Sequence, residues 1–239
     1  MRRNRPKAMS DNINDLMLTA AQTAVGRDGM PPKQKTRIQI TNEAKILEAA
    51  LDVFSKDGFR GATLDQIARA ADMSKPNLLY YFKNKERIHI ALLYGLLDIW
   101  LAPLSEISAT GDPKLEIGGY IKRKLEISRE FPRESRLFAN EILAGAPHIG
   151  DFLQTKLKKL VDEKAKILQR WVDDGQLAPC NPRHLLFAIW STTQHYADFS
   201  VQVRLVLGLE SGDSSYYEEA SQMLETLFLG KLIDTPDCD

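Results

Sequence analysis

The chain has 239 residues, of which 44% are hydrophobic and 27% are charged, and its 32 basic side chains equal its 32 acidic ones in number. This apolar content suffices for a core of ordinary size, and no apolar run reaches the ~20 residues of a membrane span, which excludes an integral membrane protein. The charge is uneven, because residues 33–87 carry eleven basic and seven acidic side chains, whereas residues 88–239 carry sixteen and twenty-two.

The first 32 residues form a separate region that opens with four basic side chains, Arg2, Arg3, Arg5 and Lys7. We expect residues 1–32 to be a disordered basic extension. Its charges either add sequence-independent phosphate contacts or have no role, and Met30 is an alternative start of the protein. At the other end of the chain, residues 235–239 are expected to form a tail.

From Gln34 onward the apolar residues recur at helical spacing, and no stretch alternates as a half-buried strand does. The first predicted helix carries Ile46, Ala50 and Phe54 on one stripe and ends near Gly58. Its apolar stripe needs a partner, which the next two predicted helices can supply.

Residues 61–82, GATLDQIARAADMSKPNLLYYF, predict two short helices joined by a tight turn. Thr63 is placed to cap the first helix and Ser74 to cap the second. Pro76 follows in the first turn of the second helix, where a missing amide hydrogen is tolerated. Together with the preceding helix, this pair predicts a three-helix unit.

The second short helix has one buried face and one polar face. Leu78 and Phe82 are four residues apart and are expected to pack inward, which leaves Asn77, Tyr80 and Tyr81 more exposed. Amide and phenol groups of this kind bind phosphates and base edges, so the helix suits a DNA major groove. The alternative interpretation is an ordinary helical hairpin with two solvated tyrosines.

A long helix is predicted from about residue 85 to residue 101, and Pro103 is expected to end it. Prolines then separate further helices, predicted at residues 114–129, 133–143, 149–174 and 182–203. A last helix at residues 215–232 has an apolar stripe, formed by Tyr217, Ala220, Leu224, Leu227 and Phe228. This stripe packs either within its own chain or against a second copy.

The residues AALDVFSKDGFRGATLDQIARAADMSKPNLLYYFKNKERI resemble the DNA-binding domain of TetR-type transcriptional regulators, including Gly58 before Phe59 and the lysine at Lys85. The resemblance implies an all-α fold. An N-terminal helix-turn-helix DNA-binding domain at residues 33–84 would precede a C-terminal helical ligand-binding and dimerisation domain at residues 85–234. It also implies a repressor that binds a palindromic operator in double-stranded DNA as a homodimer, paired through the last two long helices.

The family pattern, carried over position by position, implies eight DNA-binding residues: Thr63, Ser74, Lys75, Pro76, Asn77, Tyr80, Tyr81 and Lys85. The two cap residues are expected to meet phosphates, Asn77 and Tyr80 to approach base edges, and Tyr81 and Lys85 to hold the DNA backbone. Pro76 stands where many relatives have a small residue and Leu79 where many have tyrosine, so the resemblance does not imply which operator sequence is bound.

Farther along, DIWLAPL, KRKLEISRE, LAGAP and WSTTQHYADF resemble the pyrimidine-utilisation regulator branch of the family. Trp190 and Gln194 lie four residues apart, so a flat stacking surface adjoins an amide that both donates and accepts. This pair suits a planar imide such as uracil or thymine, and without the resemblance it is an ordinary pair of core residues. Trp100 and Phe138 are the further aromatic groups expected at this effector site. No cofactor is expected.

Two alternatives stay open. One is a TetR-type regulator that responds to an unrelated small ligand. The other is an all-helical enzyme that uses His195, Asp198 and Glu141, which is disfavoured because no catalytic motif accompanies these residues. Outside an enzyme, Glu141 is expected either to accept an imide hydrogen or to pair with Arg136 or a lysine.

The cysteines and histidines predict no metal site. Cys180 and Cys238 lie far apart without the ligand spacing of such a site, and both are expected to be free thiols in a reducing cytoplasm. His89, His148 and His184 are expected to be isolated.

Overall fold

The computed structural model describes residues 36–210 and 212–232, and these residues form ten helices and no strand. The all-α expectation is therefore confirmed. The predicted extension, the C-terminal tail and Cys238 lie outside the described residues. The helices are α1 (Arg37–Gly61), α2 (Leu64–Ala70), α3 (Lys75–Tyr81), α4 (Lys85–Glu106), α5 (Pro113–Glu130), α6 (Pro132–Leu143), α7 (Gly150–Phe152, a π-helical turn at Leu153–Leu157, then Lys158–Asp173), α8 (Pro182–Asp198), α9 (Ser200–Leu207) and α10 (Tyr216–Leu232).

α1 is fixed at both ends by its sequence. Thr36 and Gln39 form a capping box at its start, and Gly58 interrupts the regular helix with a φ of 67°, which only glycine adopts readily. The predicted stripe of Ile46, Ala50 and Phe54 is fully buried, so this prediction is confirmed.

α4 is longer than predicted. Pro103 lies inside this helix, which continues to Glu106. An interior proline removes one amide donor, and its ring crowds the carbonyl four residues earlier. The helix nevertheless continues here, where Leu104 and Ile107 are buried in the core. An 18-residue window of α4 has mean hydropathy 1.6, long and apolar enough for a membrane span, but 67% of that window is buried in the protein, as in a core helix.

The predicted helix at residues 182–203 is two helices. α8 ends at Asp198, and Phe199 leaves the helical conformation with φ −109° and ψ 26° before α9 begins. Neither glycine nor proline stands at this break, and the apolar residues keep helical spacing across it. The sequence therefore predicted one continuous helix.

α10 buries most of its predicted stripe within its own chain. Tyr217, Ala220, Leu224 and Phe228 are buried, and the helix packs on α5. Leu227, in contrast, is 42% exposed. The alternative of a stripe reserved for a second copy is therefore wrong for four of its five residues.

The helices form two compact units. One unit includes α1, α2, α3 and the part of α4 up to Ile99, together with Arg136–Gly150. The other consists of Trp100–Ser135 and the described residues from Asp151 onward. The functional division at residue 85 stays a prediction, because compactness alone does not show which part binds DNA.

Candidate DNA-binding surface and effector site

Both predicted helix caps in the first unit are confirmed. The Thr63 hydroxyl accepts the backbone N–H of Gln66 at 3.2 Å, and the Gln66 side chain accepts the N–H of Thr63 at 2.8 Å. The Ser74 hydroxyl accepts the backbone N–H of Asn77 at 3.3 Å, with Pro76 in the first turn of α3. The caps fix where α2 and α3 begin, whereas their phosphate contacts stay predictions.

α3 is anchored by one face and exposed on the other. Leu78 is fully buried and Phe82 nearly so, which leaves Lys75, Asn77 and Tyr80 on the outer face, Tyr80 with 71% of its surface exposed. The predicted division of this helix into a packing face and a polar face is confirmed.

Side chains of α1 hold the two tyrosines of α3. The Gln39 amide donates to the Tyr80 hydroxyl at 3.4 Å, and the Asn42 amide donates to the Tyr81 hydroxyl at 2.7 Å. The two rings meet edge to face with centroids 5.1 Å apart. Each hydroxyl accepts in these bonds and keeps its own hydrogen, so both tyrosines are oriented and still able to donate to DNA.

Lys75 is paired with Asp65 of α2, with its ammonium nitrogen 2.8 Å from the carboxylate, and both side chains are largely exposed. Exposed pairs of this kind contribute about 0–1 kcal/mol. A DNA phosphate can therefore replace Asp65 as the partner of Lys75 at little cost.

Lys85 has a structural role that the sequence did not indicate. Its ammonium donates to the carbonyl oxygens of Phe59 at 2.6 Å and Ala62 at 2.7 Å, at the end of α1. It also lies 4.6 Å from the centroid of the Phe59 ring. Lysine thus satisfies carbonyl groups that a helix end leaves without partners, and one ammonium hydrogen remains for a DNA phosphate.

In the second unit, α5 and α8 pack together and carry polar side chains at one-turn spacing. We call these six residues the polar seam: Tyr120, Lys124 and Ser128 on α5, and Trp190, Gln194 and Asp198 on α8. The Trp190 indole N–H donates to the Tyr120 hydroxyl at 2.5 Å. Burial raises the pKa of Tyr120, so its phenol stays neutral.

All three α5 residues of the seam were missed by sequence reasoning, and Lys124 is the most unusual of them. Only 3% of its surface is exposed, and burial lowers its pKa to about 7, although the charge of Asp198 acts in the opposite direction. The signal was present in the sequence, because Lys124 follows Ile117 and Ile121 on the buried stripe of α5, where a lysine is unusual. The side chain offers a buried donor to any ligand that reaches the seam.

The depressed pKa predicts that stability rises with pH. Above about pH 7 the folded protein loses the Lys124 proton while the unfolded chain keeps it up to about pH 10, so stability should gain at most about 1.4 kcal/mol per pH unit in this window. Below pH 7 both states are protonated and the slope vanishes. Urea denaturation at pH 7, 8 and 9 should show the slope in the parent and in Lys122→Met, an exposed control, but not in Lys124→Met. Equal slopes in all three proteins would contradict the assignment.

A cavity of about 470 Å³ lies between α7 and α8, with Trp190 in its wall. Its apolar lining is formed by Leu153, Leu157, Val161 and Phe187. At its charged side, the Asp162 carboxylate accepts from Lys158 at 2.7 Å and Arg183 at 2.8 Å, and these two cations lower the pKa of Asp162 to about 2. The volume suits a small ligand, and two of the apolar lining residues come from the π-helical turn, a feature frequent at functional sites.

The four predicted effector residues do not all line this cavity. Among the described residues that form its wall, Trp190 is present and Trp100, Phe138 and Gln194 are not. Trp100 is buried in the second unit, and Gln194 is half-buried one turn after Trp190. Phe138 is half-buried and belongs to the first unit. A shared role of the four in effector binding stays a prediction.

Glu141 and two histidines correct the sequence analysis. Glu141 is buried in the first unit, and it accepts from the His148 backbone at 2.7 Å and the His148 ring at 2.9 Å, with the His89 ring 3.3 Å away. The expectation that His89 and His148 are isolated is therefore wrong, and the structure gives Glu141 histidine partners where Arg136 or a lysine was expected. His89 lies 52 positions and His148 lies 7 positions from Glu141 in sequence, so no local pattern indicated these contacts.

The residues of the enzyme alternative have other partners. Asp198 accepts a hydrogen bond from Ser135, and His195 stacks on Phe199 with ring centroids 5.0 Å apart. Ser191, one turn before His195, donates to the backbone carbonyl of Ala188 at 3.0 Å, as helical serines commonly do. Such contacts are those of ordinary helix packing.

Two protein-family models match the chain. The one described as "Bacterial regulatory proteins, tetR family" matches residues 46–92, and the one described as "YcdC-like protein, C-terminal region" matches residues 93–234. Among curated proteins, the HTH-type transcriptional regulator RutR of Escherichia coli (strain K12) is 46% identical over 196 residues, which are 82% of this chain and 92% of that protein.

Solved structures share the fold. The ketosteroid transcriptional regulator KstR2 of Mycobacterium tuberculosis superposes with a TM-score of 0.65 at 20% identity, over 84% of this chain and 97% of that one. AibR in complex with isovaleryl coenzyme A and operator DNA gives a TM-score of 0.62 at 18% identity, over 78% and 97%. At these identities the likeness shows the arrangement of helices and nothing of the ligand.

Proposed function

This chain belongs to the TetR family of bacterial transcriptional regulators, and from that membership we propose that it represses genes of pyrimidine utilisation or related nitrogen metabolism. The resemblance stated from the sequence is confirmed at the level of the family. The 46% identity to RutR, a transcriptional regulator, carries the proposal. The relatives are regulators rather than enzymes, so the enzyme alternative is excluded. The protein acts in the cytoplasm, where its DNA lies.

The DNA contacts are proposed from the outer face of α3. Asn77 and Tyr80 approach base edges, because both are exposed and neither packs into the core. Tyr81, oriented by Asn42, and Lys85, fixed at the end of α1, hold phosphates on either side. Side chains positioned by the protein before binding lose less entropy when DNA arrives.

The effector is proposed to be a planar imide, uracil or thymine, held in the second unit. Trp190 and Trp100 offer flat surfaces, and the Gln194 amide can donate to a carbonyl oxygen while accepting an imide hydrogen. Lys124 supplies a further buried donor for a second carbonyl. The apolar lining of the 470 Å³ cavity favours a second candidate, a regulator of the same kind that responds to a more apolar ligand.

Effector binding is proposed to control DNA binding through α4. This helix begins at Lys85 in the first unit and continues past Trp100 into the second. An effector that binds two positions of α4 unequally shifts the equilibrium between them, and couplings of this kind are typically 1–3 kcal/mol. The family expectation is that effector releases the operator.

A homodimer is proposed from eight apolar side chains that one chain leaves exposed near its C-terminal helices. They lie on α8, α9, α10 and the break at Phe199, and comprise Phe187, Phe199, Val201, Leu205, Val206, Leu207, Met223 and Leu227. A second copy would cover them by two-fold pairing, the commonest assembly. Sedimentation as a monomer at micromolar concentration would contradict the proposed dimer.

Fluorescence anisotropy tests the function. A labelled duplex from the upstream region of this protein's own gene should bind at nanomolar concentration, and a random duplex much more weakly. Uracil or thymine should lower the affinity for the upstream duplex at least tenfold, whereas cytosine, which lacks the imide hydrogen, should not. Equal binding of both duplexes would overturn the regulator proposal. If the protein prefers the upstream duplex but neither uracil nor thymine changes its affinity, the pyrimidine effector is contradicted and the candidate with a more apolar effector remains.

A further inference from the structure

A cluster of three metal-ligating side chains lies in the first unit. His89 comes from α4, Glu141 from α6, and His148 from the segment just before α7. Each contributes a donor atom, and these atoms lie within 4.8 Å of one another. Two imidazoles and one carboxylate are a donor set that zinc proteins use, with one coordination position left open.

Two of the three distances between donor atoms are close to those around zinc. The Glu141 Oε2 atom lies 2.9 Å from His148 Nδ1 and 3.3 Å from His89 Nε2. Zinc ligands at about 2.0–2.1 Å in tetrahedral geometry are separated by roughly 3.3 Å. One zinc ion can therefore replace the two hydrogen bonds to Glu141 with little change in these distances, and all the donor atoms already lie within 4.8 Å of one another.

Burial limits the hydrogen bonding of His89. His89 is 2% exposed, and within the described part of the chain its Nδ1 atom has no hydrogen-bond partner, which is rare for a buried imidazole nitrogen. Its Nε2 atom faces Glu141. Glu141 is 4% exposed, so a buried carboxyl group lies between the two rings.

We propose that His89, Glu141 and His148 bind one Zn²⁺ ion per chain. The fourth position is taken by water. Glu86, whose Oε1 atom lies 4.0 Å from His148 Nε2, approaches the ring nitrogen that does not bind the ion, where a carboxylate can orient the imidazole. A divalent cation compensates the charge of the buried Glu141 carboxylate. This site is separate from the effector site and does not depend on the nature of the effector.

The proposed zinc site adjoins the structure that positions Lys85. The Phe59 ring lies 4.7 Å from the His89 ring and 5.0 Å from the His148 ring, measured between centroids, and it also carries the Lys85 ammonium. Zinc would tie α4, α6 and the segment before α7 together around the end of α1. Bound metal should therefore raise the unfolding temperature of the protein.

Zinc titration of the full chain tests the site. The protein is prepared without a histidine tag, with Cys180→Ser and Cys238→Ser to remove thiolate ligands, and is stripped with EDTA. Calorimetry should show one Zn²⁺ per chain, and Co²⁺ should give the visible absorption of a tetrahedral site. Mg²⁺ and Ca²⁺, which prefer oxygen ligands, should not bind.

Variants separate this site from adventitious binding. Glu141→Gln keeps the side-chain shape, and His148 is partly exposed, so both Glu141→Gln and His148→Ala should fold and lose at least tenfold in zinc affinity. His184→Ala, which removes a histidine outside the cluster, should bind like the parent. The proposal is overturned if the parent takes up no zinc, or if His148→Ala and the parent bind it equally.

Discussion

Replacing Lys85 with methionine should destabilise the protein by about 2–4 kcal/mol and weaken its binding to every DNA sequence. Methionine keeps the apolar stem but leaves the carbonyl oxygens of Phe59 and Ala62 without their charged donor, and hydrogen bonds to charged groups contribute about 1.5–3 kcal/mol each. Because Lys85 is only half-buried, solvent reduces the summed contribution of these two hydrogen bonds. Urea denaturation measures the stability, and anisotropy with specific and random duplexes measures the DNA affinity.

The salt dependence of DNA binding separates the two roles of Lys85. If the remaining ammonium hydrogen meets a phosphate, the slope of log affinity against log salt should fall by about 0.9 in Lys85→Met. Lys83→Met is the matched control, because Lys83 is exposed two residues earlier, and this change should leave the stability unaltered. A Lys85→Met protein as stable as the parent would contradict the role at the end of α1, and an unchanged slope would contradict the phosphate contact.

The helix-turn-helix could be predicted almost completely, because its determinants are local. Thr63 and Ser74 mark helix starts through bonds that span three residues, and the burial of Leu78 follows from a spacing of four. The structural role of Lys85 could not be predicted from local sequence. Its two acceptors lie 26 and 23 residues earlier, and the resemblance to relatives suggested a DNA contact where the structure shows an internal one.

The predicted ends of helices were wrong where tertiary contacts override local sequence preference. Pro103 was expected to end α4, but the buried Leu104 and Ile107 hold the chain helical for another turn. The break at Phe199 carries no glycine or proline, so no local signal of the usual kind marks it. Single-sequence patterns report the preferences of short segments and contain no information on such contacts.

The polar groups in the interior were the hardest to predict. His89 and Glu141 are 52 residues apart, and no motif links them until α4 and α6 are placed side by side. Lys124 carried a weak signal, a charged residue on an apolar stripe, but a lysine with a long apolar stem usually reaches solvent from such a position. In the folded protein this lysine does not, because only 3% of its surface is exposed.

Replacing Gln194 with leucine should leave operator binding intact and raise the uracil concentration needed for release by roughly 10–100-fold. Leucine has a similar size, so the packing of α8 is retained, but it can neither donate to a carbonyl oxygen nor accept an imide hydrogen. Losing these bonds costs about 1–3 kcal/mol, because the polar edge of the ligand then lies unpaired in a buried site. Anisotropy of the operator complex, titrated with uracil, measures the change.

Two further variants decide whether such a loss reflects the proposed site. Gln176→Leu changes an exposed glutamine in the loop after α7 and should respond to uracil like the parent. Trp190→Phe keeps an aromatic surface but removes the donor to Tyr120, so it should bind uracil more weakly while still folding. Trp190 is part of the wall of the 470 Å³ cavity and Gln194 is not. Comparing Gln194→Leu with Trp190→Phe therefore also shows where the effector binds. Sensitivity to both changes places the ligand at the polar seam, and sensitivity to Trp190→Phe alone places it in the apolar cavity and contradicts the amide contact.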